Sequence, residues 1–130
     1  MTRAPGDVSG PAPGAPVLTL NRWWLIASGA ALAFQLIVVY APQGVGGPQI
    51  TGLDKVVHVL IFAAPVLAAL MAGLSAPWVI GILAVHAPVS ELIQHFALPH
   101  RTGDVWDMTA DLAGVALGSL VFLVWNRRQS

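Results

Sequence analysis

The amino-acid sequence predicts an all-α membrane protein, a four-helix transmembrane bundle with a disordered N-terminal tail. The chain has 130 residues, of which 56% are hydrophobic and 9% are charged, whereas about a quarter are charged in a typical soluble domain. Its mean hydropathy is +0.74. Because about 20 apolar residues cross a bilayer as a helix, the chain is long enough for four spans.

The charge balance and the lack of cysteine exclude several function classes. Six Lys and Arg residues are matched by six Asp and Glu residues. No basic excess is left to neutralise a phosphate backbone, so we predict no binding to nucleic acid. The chain has no cysteine, which excludes a disulfide framework, a thiol nucleophile and a thiolate zinc site.

The N-terminal region predicts a tail and one membrane span. Residues 1–20 are rich in proline and glycine, which predicts a disordered tail. The apolar run that follows predicts a helix over residues 23–40, with Trp23 and Tyr40 as interfacial anchors. A secretory signal is the alternative, but the run exceeds the roughly 15 residues of a signal core, and Pro42 would follow the cleavage point.

Three further membrane spans are predicted at residues 54–73, 78–98 and 104–125. Short segments that contain proline or glycine separate the spans and predict turns. The four spans form one transmembrane domain, residues 21–126, which ends in a short basic segment at residues 127–130.

An even number of spans places both termini on one side of the membrane. The arginines on that side are Arg3, Arg22, Arg127 and Arg128. The opposite side carries only Lys55 and Arg101. Because basic residues favour the cytoplasmic side, the sequence predicts a multi-pass protein of the cell membrane with both termini in the cytoplasm.

Nearly all the charge in the spans falls at the outer side, where the second and fourth helices begin and the third ends. By helical rise, His58 lies roughly 6 Å, Glu91 roughly 8 Å and Asp111 roughly 10 Å from that side. A carboxylate in a span is costly, so matching depths on three helices predict a shared polar pocket in the outer leaflet. The residues predicted to line it are Asp54, Lys55, His58, Glu91, Gln94, Arg101, Asp104, Asp107 and Asp111.

The third and fourth helices each carry a face that predicts contact with the rest of the bundle. The third helix would insert only marginally on its own, so its polar face is expected to point inward. On the fourth helix, Gly114 and Gly118 continue the stripe of aspartates. Small residues let another helix approach closely, which predicts a helix contact there.

Structural roles compete with ligand binding for several of these residues. Asp54 and Asp104 stand where helix N-caps belong. Lys55 and Arg101 can reach the interface and neutralise neighbouring acids. Glu91 can form a buried ion pair with Arg101 or Lys55.

The sequence contains no HExxH, nucleophile-elbow or P-loop motif. A metal held by His58, His95 and two carboxylates is compatible with the composition but needs ligands from three helices, so we predict no metal and no cofactor. His86 lies deeper and is predicted to be a satisfied packing residue.

Five acids and two bases line the predicted pocket. A bare phosphate would be repelled unless a cation bridges it or acids are protonated, and a cationic or hydroxyl-rich ligand fits more simply.

Three charged motifs follow one another along the chain. They are Asp54-Lys55-Val56-Val57-His58, then Glu91-Leu92-Ile93-Gln94, then Arg101 followed by Asp104, Asp107, Asp111 and Gly114. In order and spacing they resemble the VanZ-like family of small bacterial integral membrane proteins, over residues 54–118. The family pattern usually has Asn where this chain has Asp111, which adds a charge and removes an amide donor.

The resemblance implies a protein of the cell envelope, and the founding member of the family is linked to resistance to the glycopeptide teicoplanin. By matching position, it marks the nine predicted pocket residues as ligand-binding. Two hypotheses stay open. In the first, a non-enzymatic factor binds a membrane lipid or glycolipid. In the second, a small intramembrane enzyme acts on a lipid-linked substrate, with Glu91 or Asp111 as general acid or base and His58 as proton partner.

Overall fold

The computed structural model describes residues 20–41, 52–98 and 104–129. In those residues the chain forms four α-helices and no strand, which confirms the predicted fold class. The helices are α1 (Arg22–Tyr40), α2 (Leu53–Met71), α3 (Ala76–Ala97) and α4 (Val105–Arg127). All four are long and apolar enough to cross a membrane, so the chain is a multi-pass membrane protein.

The helix ends lie within two residues of the predicted ones, and the differences have local causes. α2 ends at Met71, before Gly73, because Gly73 adopts a φ of 90° that a helix cannot continue. The N–H groups of Gly73 and Leu74 then return to carbonyls of the last helical turn, as in a Schellman motif. α3 begins two residues early, at Ala76, because Pro77 is tolerated in the first turn of a helix.

Some predictions fall on residues 1–19, 42–51, 99–103 and 130, which lie outside the described residues. These are the disordered tail, the loop that contains Pro42, and the pocket residue Arg101.

The ends of the helices form two groups. The backbone N–H of Asn21 donates to the carbonyl of Ala72 at 3.1 Å, which joins the start of α1 to the end of α2. At the other end, Lys55 near the start of α2 lies 3.3 Å from Asp104 at the start of α4. We call this second group the acidic end. It is formed by the starts of α2 and α4 and the end of α3, and is defined by Asp54, Lys55, Asp104 and Asp107.

The opposite group, the arginine end, is defined by Arg22, Arg127 and Arg128. Trp24 of α1, Met71 of α2 and Trp125 of α4 line one apolar cavity there, which brings the start of α1 and the ends of α2 and α4 together. Four of the five tryptophans lie near this end, at positions 23, 24, 78 and 125, and all are exposed. Exposed tryptophans gathered at one level fit the interfacial belt of a membrane protein.

The bundle is held together mainly by close packing of α2 against α4. A Cβ atom added at Gly114 would lie 2.8 Å from Cβ of Phe62, and one added at Gly118 would lie 3.0 Å from Cβ of Val66. No side chain larger than hydrogen fits at such distances without a shift. The predicted small-residue contact on α4 is therefore confirmed, and its partner is α2.

Candidate functional site

The starts of α2 and α4 are joined by ion pairs around Lys55. Its ammonium lies 3.0 Å from Asp54 and 3.3 Å from Asp104, and it also contacts Asp107. The side chain of Lys55 is 35% exposed, at the mouth of the acidic end. Because three carboxylates surround this ammonium, Lys55 neutralises its acidic neighbours, as one of its two predicted roles requires.

The two predicted helix caps have different outcomes. Asp104 caps α4, since its side chain accepts a hydrogen bond from the backbone N–H of Trp106 at 3.0 Å. This N–H, together with the ammonium of Lys55, holds the pKa of the Asp104 carboxyl below its ordinary value. The cap prediction for Asp54 is wrong. Gly52 occupies the N-cap of α2 with a φ of 90°, and Asp54 lies in the first turn, where a carboxylate still interacts favourably with the helix dipole.

Deeper in the bundle, α2 and α4 are joined by a second contact between His58 and Asp111. Nδ1 of His58 lies within hydrogen-bond distance of Oδ1 of Asp111, at 2.8 Å. His58 is 9% exposed and Asp111 is fully buried. A charged group inside a membrane-spanning bundle needs a partner, and each of these side chains supplies one for the other. The carboxyl group of Asp111 thus has an imidazole as its partner.

Glu91 brings α3 to the same layer. Its Oε2 accepts a hydrogen bond from the backbone N–H of Asp104 at 2.8 Å, and the residue is 7% exposed. The ammonium of Lys55 is held by aspartates, so the alternative of a Glu91–Lys55 ion pair is wrong. The alternative with Arg101 falls outside the described residues.

Three buried side-chain atoms in this layer have no hydrogen-bond partner among the described residues. They are Oε1 of Glu91, Oδ2 of Asp111 and Nε2 of Gln94. Gln94 is 3% exposed and lies one turn after Glu91 on α3. Buried polar atoms in folded proteins are nearly always paired, so an orphaned set points to a ligand, an ion or water at that place.

His58, Glu91 and Asp111 together form a cluster that we call the buried triad. Each offers one ligand atom, and these three atoms all lie within 4.8 Å of one another. The convergence of α2, α3 and α4 on one polar layer, predicted from helical depth, is therefore confirmed. The triad can accept hydrogen bonds, hold a cation, or hold and move a proton between imidazole and carboxylate.

Two histidines of α3 lie outside the triad. His95 is exposed, and its ring packs edge-on against Phe96, with centroids 4.7 Å apart. The metal set that includes His95 is therefore not formed. The packing role predicted for His86 is confirmed, since its ring stacks on Phe62 at 5.6 Å and both its nitrogens are bonded.

The partners of His86 were not anticipated from the sequence. Nε2 of Gln35 lies 3.3 Å from Nδ1 of His86, and the hydroxyl of Tyr40 lies 3.1 Å from its Nε2. A tautomer that accepts at Nδ1 and donates at Nε2 satisfies both contacts. Gln35 is fully buried. Its position as the one amide side chain in the apolar run of α1 was the only available signal, and a single amide does not reveal its partner.

Comparison of the chain with protein-family models, curated proteins and solved structures finds no match in any of the three. The resemblance to the VanZ-like family therefore stays a prediction, and the site rests on its geometry alone.

Proposed function

We propose that this protein is a VanZ-like integral membrane protein of the bacterial cell envelope that binds the polar headgroup of a lipid or glycolipid. The buried polar layer around His58, Glu91 and Asp111 is the binding site. Both termini lie in the cytoplasm, so the acidic end faces the outer leaflet. Through its lipid ligand the protein changes properties of the cell surface, including susceptibility to teicoplanin.

One observation carries this proposal. Two carboxylates and one amide, on α3 and α4, are buried inside membrane-spanning helices, and each keeps an atom without a partner among the described residues. Buried polar groups of this kind are expensive, and in membrane proteins they mark functional sites. The ammonium of Lys55 is engaged by aspartates, so the polar layer presents mainly acceptors, which suit hydroxyl or cationic headgroup atoms, or a cation that bridges to a phosphate.

The outward orientation is supported by the distribution of basic residues. The arginine end carries Arg22, Arg127 and Arg128, whereas Lys55 at the acidic end is surrounded by carboxylates. Basic residues favour the cytoplasmic side of a membrane. The arginine end also holds most of the exposed tryptophans, which anchor the membrane interface at that end.

The test compares the lipids of otherwise identical bacteria with and without the protein. We expect a change in one lipid or glycolipid class and a shift in teicoplanin susceptibility, both restored by the wild-type chain. Asp111→Asn removes the carboxylate and introduces the residue that the VanZ-like family usually has at this position. Its lipid profile therefore shows whether the carboxylate of Asp111 is needed. His95→Gln is the matched control, since His95 is exposed and outside the triad. An unchanged lipid profile in the absence of the protein would contradict the proposal.

A second candidate is a small intramembrane enzyme that acts on a lipid-linked substrate. The hydrogen bond between His58 and Asp111, beside Glu91, favours it, because imidazole and carboxylate in contact can hold and transfer a proton. In this scheme Asp111 orients His58, and Glu91 is the general acid or base. A product lipid that accumulates with the wild-type protein, and is missing with Glu91→Gln although the substrate lipid still binds, would favour the enzyme over the binding factor.

A further inference from the structure

We infer that the buried triad of His58, Glu91 and Asp111 is a binding site for one divalent transition-metal ion of the zinc type. This inference deepens the proposed function. The identity of the lipid ligand rests on the proposed function, but the binding of the metal does not.

The donor set is the first argument. One imidazole nitrogen and two carboxylate oxygens converge from three different helices, with ligand atoms that all lie within 4.8 Å of one another. In a tetrahedral zinc site with bonds of about 2.0 to 2.2 Å, ligand atoms stand about 3.4 Å apart, so small side-chain rotations close the cluster around an ion. Magnesium and calcium prefer oxygen ligands throughout, whereas imidazole favours zinc and its neighbours.

Charge is the second argument. With His58 neutral and both carboxyl groups ionised, the triad carries two negative charges inside the membrane-spanning bundle. The described cation nearest in sequence, Lys55, is engaged with Asp54, Asp104 and Asp107. One divalent ion would neutralise both carboxylates, and a buried charge is tolerated when it is paired or coordinates a metal.

The unpartnered atoms supply an independent, third argument. Oε1 of Glu91 and Oδ2 of Asp111 are buried and have no hydrogen-bond partner among the described residues. Oε2 of Glu91 accepts from the backbone N–H of Asp104 at 2.8 Å. That hydrogen bond orients the carboxylate and leaves its second oxygen free, as an outer-shell partner does for a metal ligand.

Three protein ligands leave a position open on a tetrahedral ion, as in zinc sites that bind water or a substrate. Nε2 of Gln94, a buried donor without a partner among the described residues, lies one turn along α3 from Glu91. A phosphate oxygen of a lipid headgroup at the open position could accept a hydrogen bond from this amide. The metal thus converts an acceptor-rich site, which would repel phosphate, into one that binds it.

The test uses the full chain purified in detergent, with an affinity tag that contains no histidine. After incubation with Zn²⁺ and removal of free metal, we expect about one zinc ion per chain by elemental analysis. Zinc should also raise the melting temperature, because it binds the folded state. A folded wild-type protein that retains no zinc and shows no rise in melting temperature overturns the inference.

Matched variants locate the ion. Glu91→Gln and Asp111→Asn keep the side-chain shape but remove a ligand charge, so we expect zinc affinity to fall by more than about 100-fold in each. His95→Gln should bind zinc like the wild type, because His95 is exposed on the same helix as Glu91. Equal zinc retention by all variants places the ion elsewhere and overturns the inference. Should one ligand variant not fold, His58→Gln takes its place, and circular dichroism verifies helical content.

A separate measurement distinguishes failure of the metal site from failure of the proposed lipid binding. Binding of a soluble short-chain phosphatidic acid is compared for zinc-loaded and zinc-free protein, and tighter binding with zinc supports both proposals. Zinc binding without any lipid binding supports the metal site and counts against the proposed lipid function. Lipid binding that is equal with and without zinc supports the lipid function and overturns the metal's role in holding the phosphate.

Discussion

Glu91 is a buried acid on a membrane-spanning helix, and one of its carboxylate oxygens has no hydrogen-bond partner among the described residues. In Glu91→Gln the amide oxygen can still accept from the N–H of Asp104, but the side chain carries no charge and exchanges no proton. We expect expression and helical content to stay nearly intact while the effect on envelope lipids is lost. Circular dichroism and quantitative lipid analysis measure the two outcomes.

Glu91→Lys provides the contrast, because a long cation enters a space that holds a carboxyl group. We expect this variant to compromise assembly and to accumulate poorly. If Glu91→Gln retains the full lipid effect, neither charge nor proton transfer at Glu91 is needed, and the enzyme scheme with Glu91 as general acid or base fails. If Glu91→Gln does not accumulate at all, Glu91 is a structural residue, and the ligand assignment moves to Asp107 and Asp111.

We expect Asp104 to make the stability of the protein depend on pH. The N–H of Trp106 and the ammonium of Lys55 keep its folded-state pKa below that of the unfolded chain. The Asp104 carboxylate therefore stabilises the fold fully at a pH above its unfolded-state pKa of about 4. This stabilisation is lost as the pH falls through the folded-state pKa. We expect the melting temperature in detergent to drop on acidification below about pH 4.

Asp104→Asn is the control for this effect, because Asn also caps helices but does not titrate. The variant should melt at a lower temperature than the wild type at neutral pH, since it loses the charge that pairs with Lys55. It should also show a smaller drop on acidification. Identical pH profiles for the two proteins would contradict the stabilising role of the Asp104 carboxylate.

At the scale of the helices, the contact of α2 with α4 depends on Gly114. In Gly114→Ala the new Cβ would lie 2.8 Å from Cβ of Phe62 and would also meet the carbonyl oxygen of Val59, so the helices must move apart. We expect a loss of about 1 to 3 kcal/mol in the free energy of unfolding, as for other overpacked cores. Gly114→Leu should be more severe.

Gly81→Ala is the matched control for this prediction. Gly81 also lies inside a helix, α3, but a Cβ there meets nothing within 4 Å. Alanine favours the helix more than glycine does, so this variant should be as stable as the wild type or slightly more stable. Unfolding in detergent, followed by circular dichroism, compares the two. Equal stability of Gly114→Ala and the wild type would show that α2 and α4 do not need the close approach.

At the scale of the whole molecule, the proposed orientation predicts the side on which each connection lies. Reporter domains fused at Gly46 and after Gly103 should lie outside the cytoplasm. A reporter domain fused at Ser75 should lie inside it. The reasons are the even number of spans and the basic residues of the arginine end. A result that places the fusions at Gly46 and Ser75 on the same side would contradict the four-span arrangement and the common polar layer that depends on it.

Local composition was enough to predict the four spans and the layer in which their charges meet. Apolar runs of bilayer length, broken by proline and glycine, set the helices to within two residues. Helical rise alone placed His58, Glu91 and Asp111 at similar depths, because position along a helix is a linear function of sequence. Gly73, whose positive φ ends α2 early, and Gly52, which takes the N-cap of α2 in place of Asp54, adopt backbone conformations that composition does not reveal.

Tertiary structure decided which polar atoms meet, because partners on different helices depend on rotation and packing and not on position along the chain. In the folded chain, Lys55 contacts aspartates and not Glu91, and His58 contacts Asp111. The lone amide of Gln35 is paired with His86. The atoms left without partners in the polar layer, on which both proposals depend, become visible only after every other hydrogen bond of the described residues has been assigned in three dimensions.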